Sequence, residues 1–194
     1  MTKSFWKTAI EIEREIIRRM DTREKLVMWA TKRQWYYVCE LLAEHPNFHD
    51  EKLTRSGDTA LHLALSDGQT NVVRRLIHLL QKEKKTEVLK AKNEAGNTPL
   101  HLAAALRMES VEMCKSIASM DHDHTLIRAR NHDKETPFFV AVLNGNKDAF
   151  RYLHDLILKD IAEAEEATEP LDSYCRSSNG NTILHAAITR EYFG

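Results

Sequence analysis

The residues that could do chemistry in this 194-residue sequence are ten histidines, three cysteines and 29 aspartates and glutamates. Imidazoles with carboxylates could ligate a metal, a thiol beside a base could act as a nucleophile, and paired carboxylates could work as general acid and base. The run Asp121-His122-Asp123-His124 has suitable ligand types. Four consecutive residues cannot all face one ion, so a solvated loop is the expectation there. Cys39, Cys114 and Cys175 are odd in number, far apart and without a CxxC pair. That set fits a reducing compartment and neither a disulfide framework nor a zinc site. Cys39 and Cys114 fall on apolar helical faces, and no cationic cluster is fixed beside Cys175. Glu165 and Glu166 lie in an acidic stretch instead of a cleft, and no GxSxG, GxGxxG, phosphate loop or HExxH occurs. The expectation is a chain that is not an enzyme and takes no metal and no cofactor.

His62, His101 and His185 share a register, because each stands three residues after a threonine: Thr59, Thr98 and Thr182. The surrounding string recurs as Gly57-Asp58-Thr59-Ala60-Leu61-His62, Gly96-Asn97-Thr98-Pro99-Leu100-His101, Lys134-Glu135-Thr136-Pro137-Phe138-Phe139 and Gly180-Asn181-Thr182-Ile183-Leu184-His185. Threonine is a good helix N-cap, and Pro99 and Pro137 suit a first helical position whose N–H has no partner. The alanines that follow let a neighbouring helix approach, and the preceding glycine supplies turn geometry. In this register an imidazole can bond the threonine and bridge to an adjacent turn, so Thr59, His62, Thr98, Pro99, His101, Thr136, Pro137, Thr182 and His185 read as structural. Phe139 replaces the histidine in the third copy, and that interface should depend on packing.

Each string but the last is followed by a second apolar helical pattern, as in Val72-Val73 with Leu76-Ile77 and Leu79-Leu80, or Val111 with Cys114 and Ile117-Ala118. A degenerate unit lies upstream, with Lys25 to Ala30 as its first helix and Trp35 to Leu42 as its second. The threonine spacings are 39, 38 and 46 residues, and all the excess falls after the second helix. These strings resemble the ankyrin repeat, whose fingerprint is T-P-L-H-x-A. The resemblance implies an all-α ankyrin-repeat solenoid of about four and a half helix-turn-helix units with short hairpin turns. The units are expected at about 22–56, 57–95, 96–133, 134–179 and 180–194, after an N-terminal amphipathic helix at 1–21. It also implies non-enzymatic protein–protein recognition by a rigid concave surface. The long units and tryptophan-containing start are similar to a plant family of accelerated-cell-death-like ankyrin proteins with a C-terminal PGG membrane domain. That likeness implies a recognition module in stress or defence signalling, with full-length relatives facing the cytosol at the plasma membrane through a membrane part that this sequence does not contain.

Charge is balanced, 28 Lys+Arg against 29 Asp+Glu, so neither nucleic acid nor an anionic membrane surface is an expected partner. No run approaches the roughly 20 apolar residues of a membrane span, and the charged start lacks a signal peptide's apolar core. A cytoplasmic protein is the expectation. Phe5, Ala9, Ile12, Ile16 and Met20 form a stripe on the first helix, read as a solenoid cap, with membrane anchoring and self-association as alternatives. Lys92, Arg130 and Arg176 share a register four residues before each turn, with Arg55 near the first. They are expected either to form a basic stripe for an acidic partner segment or to pair with Glu94, Asp133 and Glu135. The sequence stops after a first helix without its second, which suggests a fragment or a soluble truncated product competing with longer relatives.

Overall fold

Each threonine of the repeated string opens a helix. Thr59, Thr98 and Thr136 all sit in extended backbone immediately before their helices, with ψ of 172°, 166° and 164°. The computed structural model describes residues 2–106, 109–121, 123–163 and 170–189, residues 2–9 by backbone alone. His122, the acidic run 164–169, the C-terminal 190–194 and the side chains of Phe5 and Ala9 lie outside the described residues.

The chain begins with α1, Thr2–Arg19. Four helix pairs follow: α2 (Thr22–Thr31) with α3 (Trp35–Glu44), α4 (Ala60–Ser66) with α5 (Thr70–Lys82), α6 (Pro99–Ala105) with α7 (Ser110–Ala118), and, after the short α8 (Thr125–Arg128), α9 (Pro137–Leu143) with α10 (Lys147–Glu163). Another short helix, α11 (Leu171–Tyr174), leads to α12, Ile183–Thr189. The described residues hold no strand, only an isolated antiparallel bridge between Arg176 and Thr182.

First helices stack on first helices, α4 on α6 on α9 on α12, and second helices on second helices, α3 on α5 on α7 on α10. The all-α ankyrin-type solenoid anticipated above is the observed architecture. Small side chains at the first-helix seams permit it: Ala64, Ala103, Ala104 and Ala141 have no exposed surface. Between the two layers, Leu65, Leu76, Leu100, Met113, Ile117, Leu153 and Ile157 form one continuous core. Asn146, buried at the start of α10, donates to the Ala104 carbonyl at 3.0 Å and to the Leu106 carbonyl, tying one pair to the previous one.

The excess residues after each second helix are not simple loops. A 3-10 turn at Pro46–Phe48, another at Thr86–Lys90, then α8 and α11 occupy equivalent places. Val88 and Leu89, Leu126 and Ile127, and Tyr174 are buried from these turns. One helical turn is too short to show a periodicity in the sequence. The run around Asp121 belongs to this class: its carboxylate accepts from the Leu126 N–H at 2.5 Å and the Thr125 hydroxyl at 3.0 Å, capping α8. Asp121, Asp123 and His124 themselves lie outside any helix and lead into α8.

On α1, Ile12 and Ile16 are both 56% exposed, while Ile17 and Met20 are half-buried. The stripe read as a cap therefore leaves most of its described apolar face in solvent. Among its described residues, Glu13 makes an exposed contact to Lys32 of the first helix pair, at 3.9 Å. No described helix is long and apolar enough to cross a membrane.

Two glycines separate backbone conformation from close packing. Gly68, at φ +64°, has nothing within 4 Å of a would-be Cβ, whereas at Gly96, φ +77°, that carbon would meet the His132 backbone nitrogen at 2.7 Å. Gly68→Ala should cost about 1 kcal/mol for the left-handed backbone alone, and Gly96→Ala at least about 2 kcal/mol. Urea-unfolding midpoints check the pair; equal losses would mean that the hairpins do not depend on this approach.

Candidate functional site

The polar groups of the chain converge on the hairpins between units. Each hairpin is closed at its base by a backbone bond, Leu53 N–H to Asp58 O at 2.8 Å, Asn93 to Asn97 at 3.1 Å, Asn131 to Glu135 at 3.0 Å and Ser177 to Asn181 at 3.0 Å, with a second backbone bond inside the turn. Successive hairpins are then stitched together by Glu94 N–H to Ser56 O, His132 to Ala95 and Ser178 to Asp133, at 2.8, 3.1 and 2.7 Å. Side chains reinforce the ladder. Asn93 Nδ2 donates to Asp58 at 2.9 Å, and Asn131 Nδ2 donates to Asn97 Oδ1 at 3.1 Å and Glu135 Oε2 at 3.0 Å.

Histidines lock this ladder to the helices. His62 Nε2 lies 3.0 Å from the Asn97 carbonyl, and His101 Nε2 lies 3.0 Å from the Glu135 carbonyl. A carbonyl only accepts, so Nε2 carries the proton in each ring and Nδ1 is free to accept. Nδ1 takes the Thr59 hydroxyl at 2.9 Å and the Thr98 hydroxyl at 2.8 Å. Both imidazoles are fully buried. Burial lowers the pKa of His62 and brings that of His101 down to about 4, so both stay neutral near pH 7. His185 repeats the local contact to Thr182 at 2.9 Å but is exposed.

At the fourth unit the relay changes. Phe139 is buried in place of a histidine, and Thr136, having no ring nitrogen to bond, donates to the Tyr174 carbonyl at 2.9 Å. Phe138 beside it stacks on Phe150 with centroids 4.8 Å apart. Pro99 and Pro137 occupy the first turns of α6 and α9.

The basic register is engaged by the chain itself. Lys92 Nζ donates to the Arg130 carbonyl at 2.7 Å, one unit onward. Arg130 donates to the carbonyls of Lys134 and Ser173 at 3.1 and 3.0 Å, and Arg176 pairs with Asp172 at 2.9 Å. These partners differ from the Glu94, Asp133 and Glu135 foreseen as the alternative, because the side chains turn toward the short helices. Arg55 is exposed near the first hairpin tip, away from that row.

What the hairpins wall off is a groove against the first helices. Its floor between the third and fourth units is Leu102, Ala105, Val140 and Leu143, and its wall is Asn97, Asn131, Asp133 and Glu135. It continues past Glu135 and Leu143 to Ser177, Asn179 and Asn181. The two stretches enclose about 250 and 240 Å³.

Sequence reasoning missed a second polar centre. Asp160, buried on α10, accepts both Nε and Nη2 of Arg128 at 3.0 and 2.6 Å, with His124 Nδ1 at 3.1 Å. A buried carboxylate needs such partners, but they lie 32 and 36 residues away, a separation no motif marks. His124, weighed above as a metal ligand, is thereby paired with Asp160. The three thiols are free, and burial raises the pKa of each, that of Cys114 to about 12.

Residues 10–87 and 27–126 match the family described as ankyrin repeats, three copies. A transient receptor potential cation channel subfamily A member 1 homolog from Caenorhabditis elegans is 25% identical over 177 residues, 91% of this chain. The chain spans 13% of that relative's length.

The neutral histidines set a pH dependence. The unfolded imidazole titrates at about 6.5, so below that pH the unfolded state binds a proton that folded His101 refuses until about pH 4. The contribution is whole above pH 6.5 and is lost as pH falls toward 4, on the order of 3 kcal/mol. His101→Phe, copying Phe139 of the fourth unit, should flatten the acid limb of stability against pH relative to the parent. An unchanged difference between pH 7 and pH 4 would contradict the assignment.

Proposed function

This chain belongs to the ankyrin-repeat family, and on that premise we propose that it is a non-enzymatic protein-recognition module working through the groove between its hairpins and first helices. The single observation that carries the reading is the groove itself: apolar floor, polar wall, held by backbone bonds from hairpin to hairpin. A rigid wall loses little entropy on binding, so its contacts count toward affinity. Lys92 and Arg130 enter this proposal as ties between units, Arg176 as an ion pair with Asp172 inside its own unit, and Arg55 as the exposed cation at the edge of the partner surface.

The setting we propose is the cytosolic side of a membrane-associated signalling protein. Three unpaired thiols support a reducing compartment, and the nematode relative bears the name of a cation channel homolog. A role in plant stress or defence has the resemblance of repeat length and of the tryptophan-containing start behind it. The alternative is a soluble adaptor that competes with longer relatives.

Two measurements test this. Ala105→Trp plugs the groove floor without adding charge, and proteins cross-linked to the parent in cells should be lost from the variant; an unaltered set would sink the groove reading. An antibody to residues 81–92 should detect a band much larger than 22.4 kDa in the membrane fraction. A soluble band near that mass would favour the adaptor instead.

A further inference from the structure

We infer that the groove takes an extended segment of a partner protein whose arginine or lysine side chain seats beside Asp133 and Glu135. The inference rests on the groove reading above and adds the chemistry of the occupant.

Charge carries it. Among the described residues, the lining between the third and fifth units contains Asp133 and Glu135 and no lysine or arginine. Asp133 is exposed and makes no ion pair among the described residues, and Glu135, half-buried, receives one hydrogen bond from Asn131 Nδ2. The cations nearest in sequence are placed elsewhere: Lys92 and Arg130 on backbone carbonyls, Arg176 on Asp172, and Lys134 outside the lining. His101 at the base of the groove is neutral and offsets nothing. Among its described residues the wall thus presents two carboxylates with no ion-pair partner, partly shielded from solvent at Glu135, where an opposite charge gains more than at an open surface.

Shape and hydrogen bonding select an extended backbone. The groove runs across successive hairpins, and each residue of an extended chain brings one N–H and one C=O to be matched. Among the described residues, Asn97 Nδ2, Asn144 Oδ1 and the Asn181 carboxamide make no hydrogen bond, so donors and acceptors stand along the path. Leu102, Val140 and Leu143 offer apolar contact between them.

Display selection of random dodecapeptides on the immobilised full chain tests the proposal. Enriched peptides should carry an excess of arginine and lysine, be blocked by Ala105→Trp, and weaken as salt rises. They should bind the Asp133→Asn, Glu135→Gln variant at least about tenfold more weakly. Asp133→Asn alone, at an exposed tip, serves if the double variant loses its helical circular dichroism. Peptides that Ala105→Trp blocks but that are acidic or uncharged, or that bind the neutralised variant equally well, overturn the charge assignment and leave the groove as a recognition site. Enrichment insensitive to Ala105→Trp, or none above bare support, overturns both.

Discussion

Two interfaces of the solenoid each depend on one acceptor, the backbone carbonyl just after the turn residue of the hairpin. At Asn97 it accepts the Asn93 N–H from its own hairpin and the His62 Nε2–H from the unit before. At Glu135 the donors are Asn131 and His101. A carbonyl has two lone pairs, and both are used, so the position of a hairpin is fixed by the helix start of its neighbour. The histidine reaches that carbonyl only because its other nitrogen is held by a threonine that also caps the helix. Helix initiation, hairpin closure and the step between units are therefore one connected set of bonds. Removing any member leaves a buried polar group unpaired, which costs more than the bond contributes when made.

The third interface shows what happens when the relay is absent. Phe139 cannot donate, and the Asn181 carbonyl is bonded by Ser177 from its own hairpin. Order there comes from Thr136 on the Tyr174 carbonyl, from Arg130 on Ser173 and from Ser178 on Asp133. The ties move outward, from the buried helix start to the short helix α11 and the hairpin edge. That explains why Arg130 points away from the groove: its guanidinium supplies from one side the inter-unit donor that the histidine supplies elsewhere from the other. The cost falls on the groove, whose wall at this interface keeps two carboxylates and loses the nearest cation.

Much of this was legible in the residues. Thr59, Thr98 and Thr136 announce helix starts because capping is local chemistry, and the paired alanines announce close seams because their size is fixed. The histidine bridge was legible as a capability of the residue, and its acceptor was not, since Asn97 and Glu135 contribute only backbone. The same limit hid the short helices, where Val88, Leu126 and Tyr174 give too few apolar positions to define a period. It also hid the Asp160 centre, assembled from three elements. The basic register was visible as a repeat, but a repeat does not say which way a long side chain turns. Lys92 and Arg130 find carbonyls one unit onward, a direction set by the stacking and absent from their own unit.

A groove built this way separates stability from recognition. The bonds that hold the wall run through backbone atoms and through Asn93, Asn131, His62 and His101, whereas the surfaces facing the groove are Asp133, Leu143, Asn181 and their neighbours. Exchange of Asp133 or Asn181 alters what the wall offers without breaking a bond that positions it, because neither side chain takes part in the ladder. Glu135 is the exception, lining the groove while its Oε2 accepts from Asn131 in the ladder, so charge there is coupled to hairpin geometry through Asn131. A unit of this kind can change its partner by substitution at a few exposed positions, and the histidine relay sets the limit, since the residues on the buried side of the same hairpin are not free to follow.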